Sequence, residues 1–153
     1  MNSRTEEVEL SSFAHALRAF DRGDDAQARL LARTILAVES DHLPALEILV
    51  RAEWRLGNFS RALVGLNRLV ALNPLESGYF YMRGSVLQAM GCYSEALVNY
   101  EHCTHRSGPD SQSAEIAAAS LRVIVQSLDV KRATAVRPLV ATRPSERAWV
   151  RPS

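Results

Sequence analysis

The strongest constraint on this chain is a short motif that returns every 34 residues. Its glycines are Gly23, Gly57 and Gly91, and each is followed five residues later by an alanine. Self-similarity at a fixed period of this length is typical of stacked supersecondary units. Glycine accepts the left-handed backbone that lets a chain leave one helix and enter the next. Each copy therefore marks the corner of a helical hairpin, and the chain is predicted to be an all-α stack.

Aligning the copies divides most of the chain into three repeats, at 9–42, 43–76 and 77–110. Within this frame, positions 8 and 20 are mostly small, position 17 of the second and third repeats is aromatic, and a proline follows the second helix. Ala71-Leu72-Asn73-Pro74 and Tyr81-Met82-Arg83-Gly84 are two of the stretches that carry this pattern. The pattern resembles that of the tetratricopeptide repeat (TPR) family. The resemblance implies a right-handed superhelix of helical hairpins.

The apolar spacing along the chain predicts six helices in three pairs. The pairs are 10–21 with 25–38, 44–56 with 60–72, and 78–90 with 94–106. A seventh helix is predicted at 112–128, as a cap that covers the last apolar face of the stack. The TPR domain is therefore predicted to span 9–128, and we expect 129–153 to form a basic, proline-containing, mobile tail.

Charge and composition narrow the function classes. The formal net charge of the 153 residues is +1, so the overall charge does not indicate nucleic-acid binding. The start of the chain lacks the basic head and apolar core of a signal peptide, and no apolar run approaches the ~20 residues of a membrane span. Two cysteines do not make a disulfide framework. We expect a cytoplasmic protein without a membrane span.

Signatures of catalysis are missing from the sequence. It contains no phosphate-binding glycine loop, no Gly-x-Ser-x-Gly elbow and no His-Glu-x-x-His motif. The run His102-Cys103-Thr104-His105 is the one cluster of metal-ligand residue types, but no second ligand pair lies near it in sequence. We interpret it as a buried cysteine between two surface histidines. No enzymatic activity, cofactor or metal is expected.

The TPR resemblance also implies a binding surface, because in that family the first helix of each repeat lines a concave groove. Aromatic and arginine side chains are favoured at interaction hot spots. For Phe13, Leu17 and Phe20, a place in the core or on a self-association face is an equal alternative, which leaves a homo-oligomer through the first repeat open. Carried over position by position, the expected partner-binding residues are Phe13, Leu17, Phe20, Glu47, Arg51, Trp54, Arg55, Tyr81, Ser85 and Gln88.

The residues at these groove positions argue against one subclass of TPR groove. The carboxylate clamp that grips chaperone C-termini requires lysine, asparagine and arginine at set positions of the three first helices. This chain carries Phe13, Leu17, Arg51, Tyr81 and Ser85 there. We therefore expect a groove that binds a peptide or helical segment of another protein without that clamp.

The sequence leaves two narrower functions open. The run Gln88-Ala89-Met90-Gly91-Cys92-Tyr93 is similar to the third repeat of TPR-class type III secretion chaperones, which bind hydrophobic translocators. A regulatory subunit that docks on an enzyme through its convex face is the other alternative. The general prediction is an adaptor or chaperone-like interaction module that does no chemistry.

Overall fold

The computed structural model describes the backbone of residues 3–108 and 111–135, with side chains for 11–108 and 111–132. Within these ranges the chain forms helices and connecting turns, and no strand. The all-α architecture of TPR hairpins is confirmed. The helices are α1 (Ser3–Asp21), α2 (Asp25–Val38), α3 (Leu43–Arg55), α4 (Phe59–Leu72), α5 (Ser77–Ala89), α6 (Tyr93–Arg106) and α7 (Gln112–Ala135).

The predicted helix bounds hold closely for α2 to α6, whereas α1 and α7 are longer than predicted. α1 begins at Ser3 and not at residue 10, and α7 continues to Ala135, beyond the predicted end at 128. Residues 129–135, assigned to a mobile tail from sequence, are therefore helical. Contact with α6 contributes, since the Lys131 ammonium lies 5.5 Å from the centroid of the Tyr93 ring. The rest of the predicted tail lies outside the described residues.

The three corner glycines all have a left-handed backbone, with φ of 78° at Gly23, 74° at Gly57 and 79° at Gly91. Each glycine N–H donates to the carbonyl three residues back, at 2.8–3.0 Å, and the next N–H donates to the carbonyl five residues back, at 2.8–2.9 Å. These two bonds are the Schellman motif, which satisfies the last carbonyls of a helix. The same turn therefore ends α1, α3 and α5.

Among the residues whose side chains the structure describes, the core consists of three clusters, each built from three successive helices. The first joins α1, α2 and α3, the second α3, α4 and α5, and the third α5, α6 and α7. α5 consequently buries two neighbouring sides: Tyr79 and Val86 face the second cluster, while Phe80 and Leu87 face the third. Because α3 and α5 each contribute to two clusters and α7 completes the third, no hairpin has a complete core of its own.

Two glycines inside helices allow the closest approaches in the stack. A Cβ at Gly84 of α5 would lie 2.7 Å from Cε1 of Tyr100, and a Cβ at Gly65 of α4 would overlap the Val50 side chain. Tyr100 is 1% exposed, so its ring fills the space that the missing Cβ leaves. Here glycine is required by packing and not by backbone conformation.

We expect Gly57→Ala to lower the free energy of unfolding by about 1–2 kcal/mol, because an L-residue pays a steric penalty in the left-handed region. No atom lies within 4 Å of the position that the Cβ would take, so the cost is backbone strain alone. Gly108→Ala is the matched control, since that site is open and lacks a left-handed φ. Urea unfolding measures both variants, and equal midpoints would contradict the assignment of the corner.

Candidate partner-binding face

α3 leaves one face uncovered along its length. Its buried residues are Ala45, Leu46, Ile48, Val50, Ala52 and Glu53. Glu47, Arg51 and Trp54 follow one another at helical spacing on the remaining side, where Arg51 is exposed and the other two are half-buried. We call this side of α1, α3 and α5 the first-helix face; it comprises Phe13, Leu17, Glu47, Arg51, Trp54, Tyr81, Ser85 and Gln88.

At the α1 end, the predicted residues divide between the surface and the interior. Leu17 is 41% exposed, and Phe13 packs against the first core cluster with its ring 5.5 Å from that of His42. Phe20 is buried, and the Arg55 guanidinium lies 3.9 Å from its ring centroid. Phe20 is thus a core residue, as the alternative from sequence allowed.

Arg55 is held by contacts within the protein. Its Nη1 donates to the Phe20 carbonyl and to Asp25 Oδ1, both at 3.2 Å. These contacts join α3 to the corner between α1 and α2. Because Phe20 is buried and Arg55 covers it, we leave both out of the first-helix face, although the sequence placed both in the groove.

In the middle of the first-helix face, Glu47 accepts a hydrogen bond from another residue of the protein, whereas Arg51 has no such partner among the described residues. The Tyr79 hydroxyl donates to Glu47 Oε1 at 2.5 Å, and burial, together with this hydrogen bond, raises the pKa of Tyr79 well above its usual range. Tyr79 therefore stays a donor and orients the carboxylate. Among the described residues, Arg51 makes no hydrogen bond or ion pair. Trp54 rests on the second core cluster with part of its ring uncovered.

At the α5 end, the polar residues belong to a network centred on Tyr100. The Tyr100 hydroxyl donates to Gln88 Oε1 at 2.7 Å and lies 3.2 Å from Ser85 Oγ, which donates to the Tyr81 carbonyl. The ring centroids of Tyr81 and Tyr100 are 6.1 Å apart. Burial raises the pKa of Tyr100. Ser85 and Gln88 are therefore held in place by the buried Tyr100.

Two buried polar residues were missed from the sequence. Glu53 is 3% exposed; Asn58 Nδ2 donates to its Oε2 at 2.6 Å, and Arg29 Nη1 lies 4.0 Å away. Asn99 is 6% exposed and accepts from Arg83 Nε at 2.6 Å. The sequence did carry a signal for Glu53. This charged residue lies on the same helix face as Leu46 and Val50, so it interrupts an apolar stripe.

The described residues contain no group of three or more His, Cys, Asp or Glu side chains that could hold a metal ion. The His102 ring stacks on Phe80 at 5.4 Å between centroids, and Cys103 is fully buried, which raises the pKa of its thiol. Cys92 is half-buried at the start of α6. None of the helices in this part of the chain is long and apolar enough to cross a membrane.

The hairpins, their glycine corners and the shared core clusters define a helical-repeat protein of the TPR class. More specifically, the chain belongs to the bacterial transcriptional activator domain family, whose model matches residues 9–110. These are the bounds of the three repeats predicted from the glycine period. No curated protein matches the chain.

Solved structures similar to this chain include TPR domains and secretion chaperones. A Thermobaculum terrenum O-GlcNAc transferase matches at 28% identity and a TM-score of 0.69, over 82% of this chain but 23% of the transferase. The first TPR of RPAP3 bound to an HSP90 peptide matches at 23% identity and a TM-score of 0.70, over 79% and 93% of the two chains. The translocator chaperone SycD of Yersinia enterocolitica matches at 11% identity and a TM-score of 0.71, over 86% and 98%.

These likenesses support the fold more than any one activity. The chain spans about a quarter of the transferase, so the match covers a helical-repeat region of a larger enzyme. The RPAP3 and SycD matches lie below a quarter identity and show the fold alone. Together they show a TPR-like helical-repeat fold.

Tyr100→Phe should lower the free energy of unfolding by about 0.5–1.5 kcal/mol, because the Gln88 carbonyl loses its internal donor. Tyr93→Phe is the matched control, since Tyr93 is 37% exposed and removal of its hydroxyl uncovers no buried partner. Urea unfolding followed by circular dichroism measures both. Equal losses in the two variants would mean that the Tyr100 network does not stabilise the third repeat.

Stability is also expected to fall in alkali. Burial raises the folded-state pKa of Tyr79 and Tyr100, while in the unfolded chain a tyrosine titrates near pH 10. The unfolded chain therefore loses these protons first, so their contribution is complete below about pH 10 and is lost as pH rises towards the folded pKa. Unfolding free energies measured across this range should fall less steeply for the double variant Tyr79→Phe and Tyr100→Phe; an unchanged slope would contradict the assignment.

Proposed function

We propose that this protein binds a peptide segment of a partner protein along the first-helix face and catalyses no reaction. The observation that carries the proposal is the pair Arg51 and Trp54, one turn apart on α3. Arg51 is exposed without a partner in the described part of the chain, whereas Arg55 on the same helix is held internally. Arginine and tryptophan are both among the residue types enriched at interaction hot spots.

The neighbouring contacts define the chemistry of the proposed ligand. Leu17 and the uncovered part of Trp54 favour an apolar or aromatic side chain, and Arg51 favours a carboxylate, which it can grip with two parallel hydrogen bonds. Glu47 and Gln88 are already oriented by Tyr79 and Tyr100. Preorganised polar groups lose little entropy on binding, so they add specificity at low cost.

The relatives suggest a setting for this activity. The RPAP3 domain is named as bound to the HSP90 peptide SRMEEVD, and the same class of ligand, a short segment of a partner, is proposed here. The clamp residues expected for chaperone C-termini are absent from this sequence, so we propose a different segment. The family description suggests bacterial transcriptional activation, in the cytoplasm, as the setting of the contact.

The two narrower alternatives stay predictions. A translocator chaperone would use the same face, and its support is the likeness to SycD, which at 11% identity concerns the fold. A regulatory subunit would use the face of α2, α4 and α6. Self-association through the first repeat also stays a prediction, with Leu17 as the most exposed large apolar side chain described on α1.

The test begins with peptides selected from a displayed library on the full chain and titrated by calorimetry. Arg51→Ala and Trp54→Ala should each weaken binding by about 1–3 kcal/mol, the range of hot-spot residues. Because Trp54 also packs on the core, Arg51→Glu serves as a second surface variant that should weaken acidic peptides further without touching the core.

Arg22→Ala is the control, since Arg22 is exposed at the corner between α1 and α2. Equal affinities for the wild type, Arg51→Ala and Arg51→Glu, at unchanged helicity, would overturn the first-helix face as the binding site. Selection of no peptide that depends on either residue would have the same consequence.

A further inference from the structure

A second charged cleft lies on the other side of α3. It has a volume of about 250 Å³ and opens between α2 and α4, with α3 as its floor. The residues that matter for its chemistry are Arg33, Leu46, Leu49, Glu53, Arg61 and Arg68. Leu46, Leu49 and Glu53 point away from Arg51 around the α3 axis, because successive helical residues are rotated by about 100°. The cleft is therefore separate from the first-helix face.

Three arginines, Arg33, Arg61 and Arg68, line this cleft, and a fourth, Arg29, lies beside the lining residue Glu53. Arg29 lies 4.0 Å from Glu53, and Arg68 donates to the Ser40 carbonyl at 2.5 Å and lies 3.4 Å from Asp41. Arg33 and Arg61 are exposed and make no hydrogen bond or ion pair within the part of the chain that the structure describes.

The acidic groups beside the cleft are already occupied. The Glu53 carboxylate accepts from Asn58 at 2.6 Å and faces Arg29, and Asp41 is paired with Arg68. Neither carboxylate neutralises Arg33 or Arg61. The α3 floor of the cleft consists of Leu46, Leu49 and the paired carboxylate of Glu53. Two free guanidinium groups thus flank a small depression with two leucines in its floor.

We propose that this cleft binds a short acidic segment of a partner protein, with carboxylates on Arg33 and Arg61 and an apolar side chain between them on Leu46 and Leu49. The guanidinium fork matches the geometry of a carboxylate, and partial enclosure in the cleft strengthens the pair relative to open water. Because α2 and α4 both contribute an arginine, the segment would lie across the two second helices.

Charge complementarity favours an acidic peptide over a nucleic acid. Binding of a nucleic-acid backbone relies on many phosphate contacts along a broad basic surface. Here Glu53 and Asp41 lie beside the cleft, and residues 1–130 carry a net charge of −4, as against +5 for 131–153. A short segment brings fewer negative charges over a smaller area than a nucleic-acid backbone does, so it meets less of this repulsion.

The experiment uses the full chain and a labelled, end-blocked peptide of alternating glutamate and leucine, with a glutamine–leucine peptide as its matched control. Fluorescence anisotropy should show the glutamate peptide binding at least about tenfold more tightly, with an affinity that falls as salt rises. The double variant Arg33→Ala and Arg61→Ala should lose most of this difference. Both side chains are exposed and unpaired, so its melting temperature should be unchanged.

Two further variants and a competitor complete the design. Arg22→Ala should bind as the wild type does, and Arg33→Lys with Arg61→Lys should retain part of the affinity, because charge remains but the bidentate geometry is lost. Equal binding of the two peptides would overturn the proposal. So would an unchanged affinity in the double alanine variant, or a short DNA duplex that displaces the peptide and itself binds more tightly.

The outcome also separates this site from the first-helix face. If the glutamate peptide loses affinity in Arg51→Ala and not in the Arg33 and Arg61 variants, the cleft proposal fails while the proposed function stands. Loss only in the Arg33 and Arg61 variants supports the cleft. That second result leaves the library-selected peptides as the test of the first-helix face.

Discussion

The turn at each corner glycine determines how the rest of the chain can pack. At Gly57, the N–H of the glycine and that of Asn58 close the end of α3 on the carbonyls of Trp54 and Glu53. A residue with a side chain would oppose this φ, and a looser turn would change the angle at which α4 leaves α3. Every later contact depends on that angle, because α3 and α5 each bury two sides in neighbouring clusters. Three equal corners therefore produce one continuous stack.

Within the hairpins, complementary volumes set how closely the helices approach. In the third repeat, Gly84 leaves room for the whole ring of Tyr100. In the second repeat, Val50 takes the repeat position that Gly84 has in the third. There, Gly65 on the facing helix α4 provides the space. Protein interiors are packed like organic crystals, so an added methyl on one side has to be removed on the other. Each of the two contacts has one small residue, but it lies on the second helix in one repeat and on the first helix in the other.

The glycine period was sufficient to predict the hairpins, because corner and helix signals are local. It did not predict the outer ends: no corner glycine marks the start of α1 or the end of α7, and both helices run further than expected. It was harder still to predict from the sequence which of the expected groove residues are exposed. Whether Phe20 is an anchor or a core residue depends on Arg55, which is 35 residues away in sequence. Frame position predicts the face of a helix but not the neighbour that covers it.

The arginines show why the candidate sites needed the structure. Arg55 and Arg68 bond to groups on another repeat, with partners 27 to 35 residues away. Arg51, Arg33 and Arg61 occupy similar exposed helical positions in sequence, yet none has such a partner among the described residues. An arginine that pairs within the protein stabilises the fold. It is less available to a ligand, because its guanidinium donors are already used. Some arginines of the stack therefore link two repeats and others stay available, and Arg51 lies on the side of α3 opposite the cleft of Arg33 and Arg61.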